Sequence, residues 1–365
     1  MPSPDEQPNL FGLGATEIEQ VAHEYGEPAY RGRQLFRALY RGRNTCFETM
    51  TDLAVRLRAR LASQFRIAYP EVREKRPSRD GSVSYLMSFA DEEAAEAVYI
   101  PGAQRVTLCI SSQAGCAVDC RFCFTALMGL RRNLTPGEIL GQVYRIALDQ
   151  DLDMNARLNL VFMGMGEPLL NYDAVLQAIR ILTDREGLGI PARRITLSTA
   201  GIVPRIQDLS REEVRPKLAV SLNASTDEQR SALMPVNRKY PLGGLIAACR
   251  AYPLRARERL TFEYVLLDKL NDTIEDARRV AILLNGIRAK VNLIPYNPGG
   301  DLPYRTPSMD RVMAFEEELR AAGIPAFIRV SRGRDVRGAC GQLLIEGARK
   351  AIMPIMRPAA LPSLR

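Results

Sequence analysis

No apolar run in the 365 residues approaches the roughly 20 that a membrane span requires, which excludes a spanning helix. The opening Met1-Pro2-Ser3-Pro4-Asp5-Glu6 lacks the basic-then-apolar layout of a secretory leader, so the expected compartment is the cytoplasm. Histidine is nearly absent, His23 being the only one, and a metal centre must look elsewhere for ligands. Short-period repeats and low-complexity tracts are also missing. Cysteine is present in an odd number, seven, at 46, 109, 116, 120, 123, 249 and 340. A disulfide scaffold would not look like this in a reducing compartment, so metal or thiol chemistry is the better reading.

With 46% hydrophobic residues the chain can bury a substantial core, and its length suits one large domain and a smaller one. The net charge of +8 is concentrated: residues 31 to 79 hold thirteen Lys or Arg against four Asp or Glu, leaving about −1 for the rest. Residues 16–65 read as helical, with Leu53, Leu57, Leu61 and Phe65 as an apolar stripe and Arg33, Arg37 and Arg41 along another face. Alternation in 82–90 and 97–100 predicts a hairpin. From Val106 onward, six short apolar runs (106–111, 158–163, 195–199, 218–222, 260–267 and 291–294) alternate with amphipathic helices. Helix starts are expected at Thr135 with Glu138, Ser225 with Glu228, and Asp272 with Glu275. Such alternation predicts an α/β fold of parallel strands covered by helices, as a barrel or an open sheet. A further run, 326–330, leads into a Gly- and Arg-rich tail around Cys340. The two ends, up to about Leu10 and from Pro358, are Pro-rich and read as frayed.

Cys116, Cys120 and Cys123 stand in a Cys-x3-Cys-x2-Cys loop directly after the first of these strands. Three thiolates hold three irons of a four-iron cluster and leave the fourth open to an external ligand, whereas a closed electron-transfer cluster normally uses four. The alternative is a structural zinc completed by Cys109 or Cys340. In spacing and position the loop resembles the radical S-adenosylmethionine (SAM) superfamily. The second strand ends in Met163-Gly164-Met165-Gly166-Glu167-Pro168, where glycines admit a ligand close to the main chain and a carboxylate can meet an ammonium group. Ser198, Ser221, Asn223 and Asn297 add polar groups at later strand ends, the rim where parallel barrels bind ligands. Each of these is equally an ordinary turn residue when taken alone. Cys340 is flanked by small residues that suit an accessible thiol, while Cys46 and Cys249 read as buried and inert.

Over nearly its whole length the chain is similar to the RlmN and Cfr family of radical SAM RNA adenine methyltransferases, on the side of RlmN. The matching segments include Arg31-Gly32-Arg33-Gln34-Leu35-Phe36, Thr107-Leu108-Cys109, the Gly-Met-Gly-Glu-Pro loop, Leu233-Met234-Pro235-Val236-Asn237 and Gly338-Ala339-Cys340-Gly341-Gln342-Leu343. The resemblance implies a partial (β/α)6 barrel at 105–331, a basic helical RNA-binding domain at 1–80, a linking hairpin at 81–104 and a tail at 332–365. It implies one [4Fe-4S] cluster on Cys116, Cys120 and Cys123. Two SAM molecules per turnover, methyl donor and radical source, would contact Gly166, Glu167, Ser198, Ser221, Asn223 and Asn297. Cys340 becomes the methyl carrier, Cys109 the resolving thiol and Glu96 the proton acceptor. Many relatives have His where Asn223 stands. The implied substrates are 23S rRNA and tRNA, methylated at adenine carbon 2, with Cfr-like methylation at carbon 8 of 23S rRNA, or a non-catalytic zinc-stabilised RNA-binding module, as the rivals. A monomer served by a one-electron reductant such as flavodoxin or ferredoxin completes the expectation.

Overall fold

The computed structural model describes residues 7–153, 157–298, 302–336, 338 and 343. Three amphipathic helices come first, α1 (Ala15–Glu24), α2 (Ala29–Tyr40) and α3 (Val55–Gln64). The leucine stripe faces inward, with Leu53, Leu57 and Leu61 buried. Part of the arginine stripe is neutralised: Arg33 pairs with Glu19, and Arg37 with Glu186 of the larger part of the chain. The expected fraying up to Leu10 stops short. Leu10 N–H donates to Arg66 O (2.9 Å), Asn9 Oδ1 accepts from Phe11 N–H (3.0 Å), and Leu10 and Phe11 are buried. The ring of Phe11 meets Tyr69 and Tyr144 edge-on at 4.6 and 5.0 Å. Burial of such side chains contributes about 1.5–3 kcal/mol each, more than the flanking prolines take away.

Next, β1 (Glu71–Pro77), β2 (Val83–Ser88) and β3 (Ala94–Ile100) form an antiparallel meander. The sequence predicts only its last two strands, and β1 falls within residues 1–80, expected to form a helical domain. As an edge strand exposed along most of its length, its Glu-Val-Arg-Glu-Lys-Arg-Pro carries charge in place of an apolar alternation. Charged edges discourage sheet-to-sheet association.

β4 (Val106–Cys109) pairs with β3 and starts the parallel part; β5 (Gln113–Gly115) and β6 (Leu130–Asn133) form a separate small hairpin around α4 (Phe124–Leu127). There follow α5 (Pro136–Asp149), β7 (Leu158–Phe162), α6 (Tyr172–Thr183), β8 (Ile195–Thr199), α7 (Val203–Ser210), β9 (Lys217–Ser221), α8 (Asp227–Leu233) and α9 (Leu242–Ala251). β10 (Leu260–Leu266), α10 (Ile274–Leu284), β11 (Ala289–Pro295), α11 (Met309–Ala321) and β12 (Ala326–Ile328) complete the pattern. The six predicted runs are all strands, and β12 adds a seventh in parallel. One ten-stranded sheet results, in the order β1-β2-β3-β4-β7-β8-β9-β10-β11-β12, a partial barrel with an antiparallel extension.

Thr135 and Glu138 form the expected capping box of α5. The other two caps lie one residue later, at Thr226 with Gln229 and Thr273 with Asp276. The predicted cap Ser225 is otherwise engaged, donating to Asp276 Oδ1 (2.6 Å), and Asp272 accepts from Lys269 N–H (3.0 Å). Among the described residues no helix is long and apolar enough to cross a membrane.

Candidate active site

The C-terminal ends of the parallel strands surround a cavity of about 1080 Å3, mouth included. Ser198 and Ser221 close β8 and β9 on its wall, and Val265 and Ile294 bring β10 and β11 to it. All three loop cysteines, Cys116, Cys120 and Cys123, form the facing wall. Their loop depends on Gly115, whose φ is +81° and where a Cβ would stand 1.9 Å from Gly129 O. Cys116 N–H donates to the same Gly129 O (2.9 Å) and Cys123 N–H to Cys120 O (3.0 Å), which fixes the main chain of the loop.

Burial pushes all three thiols up, Cys116 to about 12, so as bare thiols they stay protonated. Bound metal replaces those protons. Among the described residues no three His, Cys, Asp or Glu side chains sit close enough to share a single ion. Three soft donors lining one cavity, with no fourth His, Cys, Asp or Glu grouped with them among the described residues, fit a cluster with an open corner better than a four-ligand zinc. Of the two cysteines that could have completed a zinc site, Cys109 sits in β4 and does not line the cavity, and Cys340 lies outside the described residues.

The glycine loop after β7 presses against β4 and β5. A Cβ on Gly164 would lie 2.6 Å from Ser111 Oγ, and one on Gly166, at φ +98°, 2.6 Å from Gln113 Cβ. Glu167 is buried in the cavity wall and accepts from Leu169 N–H (3.0 Å) and Ala200 N–H (2.6 Å). Burial nevertheless pushes its carboxyl up to about 7. Asn223 lies in the left-handed region, φ +55°, which Asn tolerates better than most residues. Its Oδ1 accepts from Val265 N–H (2.8 Å) and its Nδ2 reaches Met234 Sδ (3.3 Å), so the amide braces the rim as well as facing the cavity. Asn297 Nδ2 donates to Ser331 Oγ (2.6 Å) from the same wall.

Four further residues, unmarked by any motif, build this site. Gln113 Oε1 accepts from Glu167 N–H (2.8 Å). The fully buried Arg230 donates to main-chain carbonyls at the ends of β8 and β9. Glu263, its carboxyl raised by burial, takes a bond from Asn292 Nδ2 (2.8 Å) at the cavity floor. Its signal was a lone carboxylate inside the apolar Leu260–Leu266 strand. Thr125 Oγ1 donates to Leu343 O (2.9 Å), tying the tail to the helix that follows Cys123.

Cys340 lies outside the described residues, but both its flanks are placed. Leu343, three residues beyond, is buried, and a Cβ on Gly338, two residues before, would meet Val98 Cγ1 at 3.5 Å. Val98 is the register partner of Cys109 across β3 and β4, so the tail approaches the face that carries Cys109. Glu96 lies two residues from Val98 on that face. It is buried inside β3 and not in an acidic loop, and Arg76 Nη1 meets it at 3.1 Å. Of the cysteines read as inert, Cys249 is buried but Cys46 is exposed, on a short turn beside α3.

Two family models match the chain, the radical SAM superfamily over residues 110–281 and the ribosomal RNA large subunit methyltransferase N-terminal domain over residues 8–67. A probable dual-specificity RNA methyltransferase RlmN of Koribacter versatilis (strain Ellin345) is 50% identical, covering 87% of this chain and 96% of its own length. The dual-specificity RNA methyltransferase RlmN of Anaeromyxobacter sp. (strain Fw109-5) is 46% identical over 98% of both. A crystal structure of a radical SAM methyltransferase from Sphaerobacter thermophilus superposes with a TM-score of 0.86 at 45% identity, covering 92% of this chain and 99% of that one.

Proposed function

We propose, on the premise that this chain belongs to the RlmN family of radical SAM RNA methyltransferases, that it methylates carbon 2 of adenosine in 23S rRNA and in tRNA. When bound, the [4Fe-4S] cluster and SAM supply one electron, the methyl group and the radical that removes hydrogen from it. Cys116, Cys120 and Cys123 hold the cluster. Glu167 takes the methionyl ammonium of SAM, Gly166 lets the main chain approach it, and Ser198, Ser221, Asn223 and Asn297 contact its remaining polar groups.

Adenine carbon 2 lies between two ring nitrogens and is too electron-poor to attack an electrophilic methyl. Cys340 supplies the missing nucleophile and carries the methyl as a thioether. Glu96 accepts the proton that the base must lose, with Arg76 beside it. Cys109 then attacks the Cys340 sulfur; as the two sulfurs join, the carbon–sulfur bond to the base breaks, and the released carbon keeps its electron pair and takes a proton to become the methyl group of the product. The basic N-terminal helices attract phosphates before the target base is splayed into the cavity. The enzyme works as a cytoplasmic monomer and draws its electron from a flavodoxin- or ferredoxin-type reductant.

The observation that carries most of this is a convergence: three thiols and the buried Glu167 share one cavity, while Thr125 on its wall holds the tail three residues beyond Cys340. Anaerobic incubation of reconstituted protein with SAM, a reductant and unmodified RNA, followed by nucleoside analysis, tests it. The expected product is 2-methyladenosine. Formation of 8-methyladenosine alone would transfer the chain to the carbon 8 activity.

A further inference from the structure

At the end of the barrel opposite the cavity, basic side chains recur at the strand starts. Arg105 precedes β4, Arg157 precedes β7, Arg194 precedes β8, and Lys217 opens β9. The register brings the first two level and steps Arg194 and Lys217 along the sheet from them. Val106 pairs with Leu158, so Arg105 falls next to Arg157; Leu160 pairs with Ile195, and Thr196 with Lys217. Arg105, Arg157 and Arg194 line one concave pocket together with Asn159 and the loop at 102–104. Beside them Lys290 of β11 is lowered in basicity by its burial and then by Arg329, Lys217 and Arg105, with only Glu263 opposing. Among the described residues no ion pair with a carboxylate neutralises Arg105, Arg157 or Arg194, in contrast to Arg33, Arg37, Arg180 and Arg278 elsewhere on the surface.

Like charges gathered in a concavity repel one another until an anion enters. Arginine forks suit phosphate oxygens, which they bind two at a time. The pocket wall offers no aromatic side chain on which a base could stack, so it recognises phosphate and ribose backbone and not a nucleoside. It lies four strand residues below Ser198, at the other end of the strands from the rim, so RNA that reaches both must pass round the outside of the sheet. We infer that this pocket binds a backbone phosphate of the RNA substrate and acts as a second grip remote from the catalytic cavity. The inference rests on the proposed RNA methylation, and it adds a contact outside both the cavity and the basic N-terminal helices.

The test compares the full-length reconstituted enzyme with its Arg105→Ala/Arg157→Ala/Arg194→Ala variant in binding an unmodified tRNA transcript across a salt series. Each lost phosphate contact removes roughly 0.7–0.9 from the slope of log K against log salt, so a fall of that size, for the one phosphate, and at least tenfold weaker binding near 0.1 M salt are expected. RNA-independent reductive cleavage of SAM stays at the wild-type rate. An equal loss of charge at Arg180, Arg205 and Arg278 leaves the slope unchanged, and the triple Lys variant, which keeps the charge, retains most of the wild-type slope. Unchanged slope and affinity in the alanine variant would overturn the inference. So would protection of the wild type alone by millimolar inorganic phosphate in thermal unfolding while RNA affinity stays equal, since the pocket would then serve a small anion. The methylated nucleoside is read separately: a product other than 2-methyladenosine with the slope change intact defeats the carbon 2 assignment and leaves the phosphate grip standing.

Discussion

Arg230 is where the support of the cavity can be weighed most directly. Its guanidinium donates to Ala200 O (2.6 Å), Ser221 O (3.0 Å), Leu222 O (3.1 Å) and Asn237 Oδ1 (3.0 Å), all from a fully buried position. Burial lowers its basicity to about 10, a net penalty on the charged form of about 3 kcal/mol. At neutral pH it stays charged. Charge-assisted bonds worth about 1.5–3 kcal/mol each outweigh that cost with four acceptors. Arg230→Met keeps the volume and leaves the four acceptors buried and unpaired, so we expect a loss of about 3–5 kcal/mol. By scanning calorimetry the midpoint should drop by roughly 4–7 °C in a chain of this size. Because the abandoned carbonyls end β8 and β9 beside Ser198 and Ser221, SAM affinity should fall roughly tenfold, equivalent to 1.4 kcal/mol, with iron content per chain unchanged. Arg230→Lys, a point donor without the fork, should fall in between. An Arg230→Met protein that melts within about 2 °C of the wild type would refute the weighing.

Cys340→Ala should abolish methylation while sparing cluster assembly, and Cys109→Ala should accumulate a covalent protein–RNA adduct on denaturing gels; full turnover in either variant contradicts the roles given to these thiols. Thr125→Val removes the hydroxyl bonded to Leu343 O, and mass spectrometry of the Cys340 peptide should show lower methyl occupancy beside an unchanged cluster spectrum. Equal occupancy would mean that the contact does not position the carrier. In the cluster-free protein, Glu167 keeps its proton to about pH 7 when folded but releases it near pH 4.3 when unfolded. Stability should therefore decline by up to about 3 kcal/mol as pH rises between those values, and the Glu167→Met variant should lack the decline; parallel pH profiles in denaturant titrations would rule this out.

What the sequence makes legible here is local. The cysteine loop, the glycine loop and the six barrel strands each announce themselves within ten residues, by spacing or by apolar runs. β1 does not, because an exposed edge strand of charged residues has no burial to impose a period. The caps of α8 and α10 are ambiguous by one residue because Ser225 beside Thr226, and Asp272 beside Thr273, are equally good capping types. Which one caps is settled by contacts fifty residues away, such as Ser225 with Asp276. Cys46 reads as buried only because isolated cysteines usually are.

The residues that no motif marks share one property: their partners are distant in the chain. Arg230 spans from α8 back to Ala200, Gln113 fixes the backbone of Glu167, and Thr125 reaches Leu343 across 218 residues. Ligand-facing groups can be arranged by short loops, because glycines and tight turns set their directions locally. Holding those loops against one another is a tertiary task, and buried polar side chains accomplish it because each carbonyl or amide left without water must find a partner. The tail shows why this matters for the reaction. For the carrier role proposed for Cys340, Gly338 against Val98 and Leu343 on Thr125 hold the chain at a point on either side of the thiol.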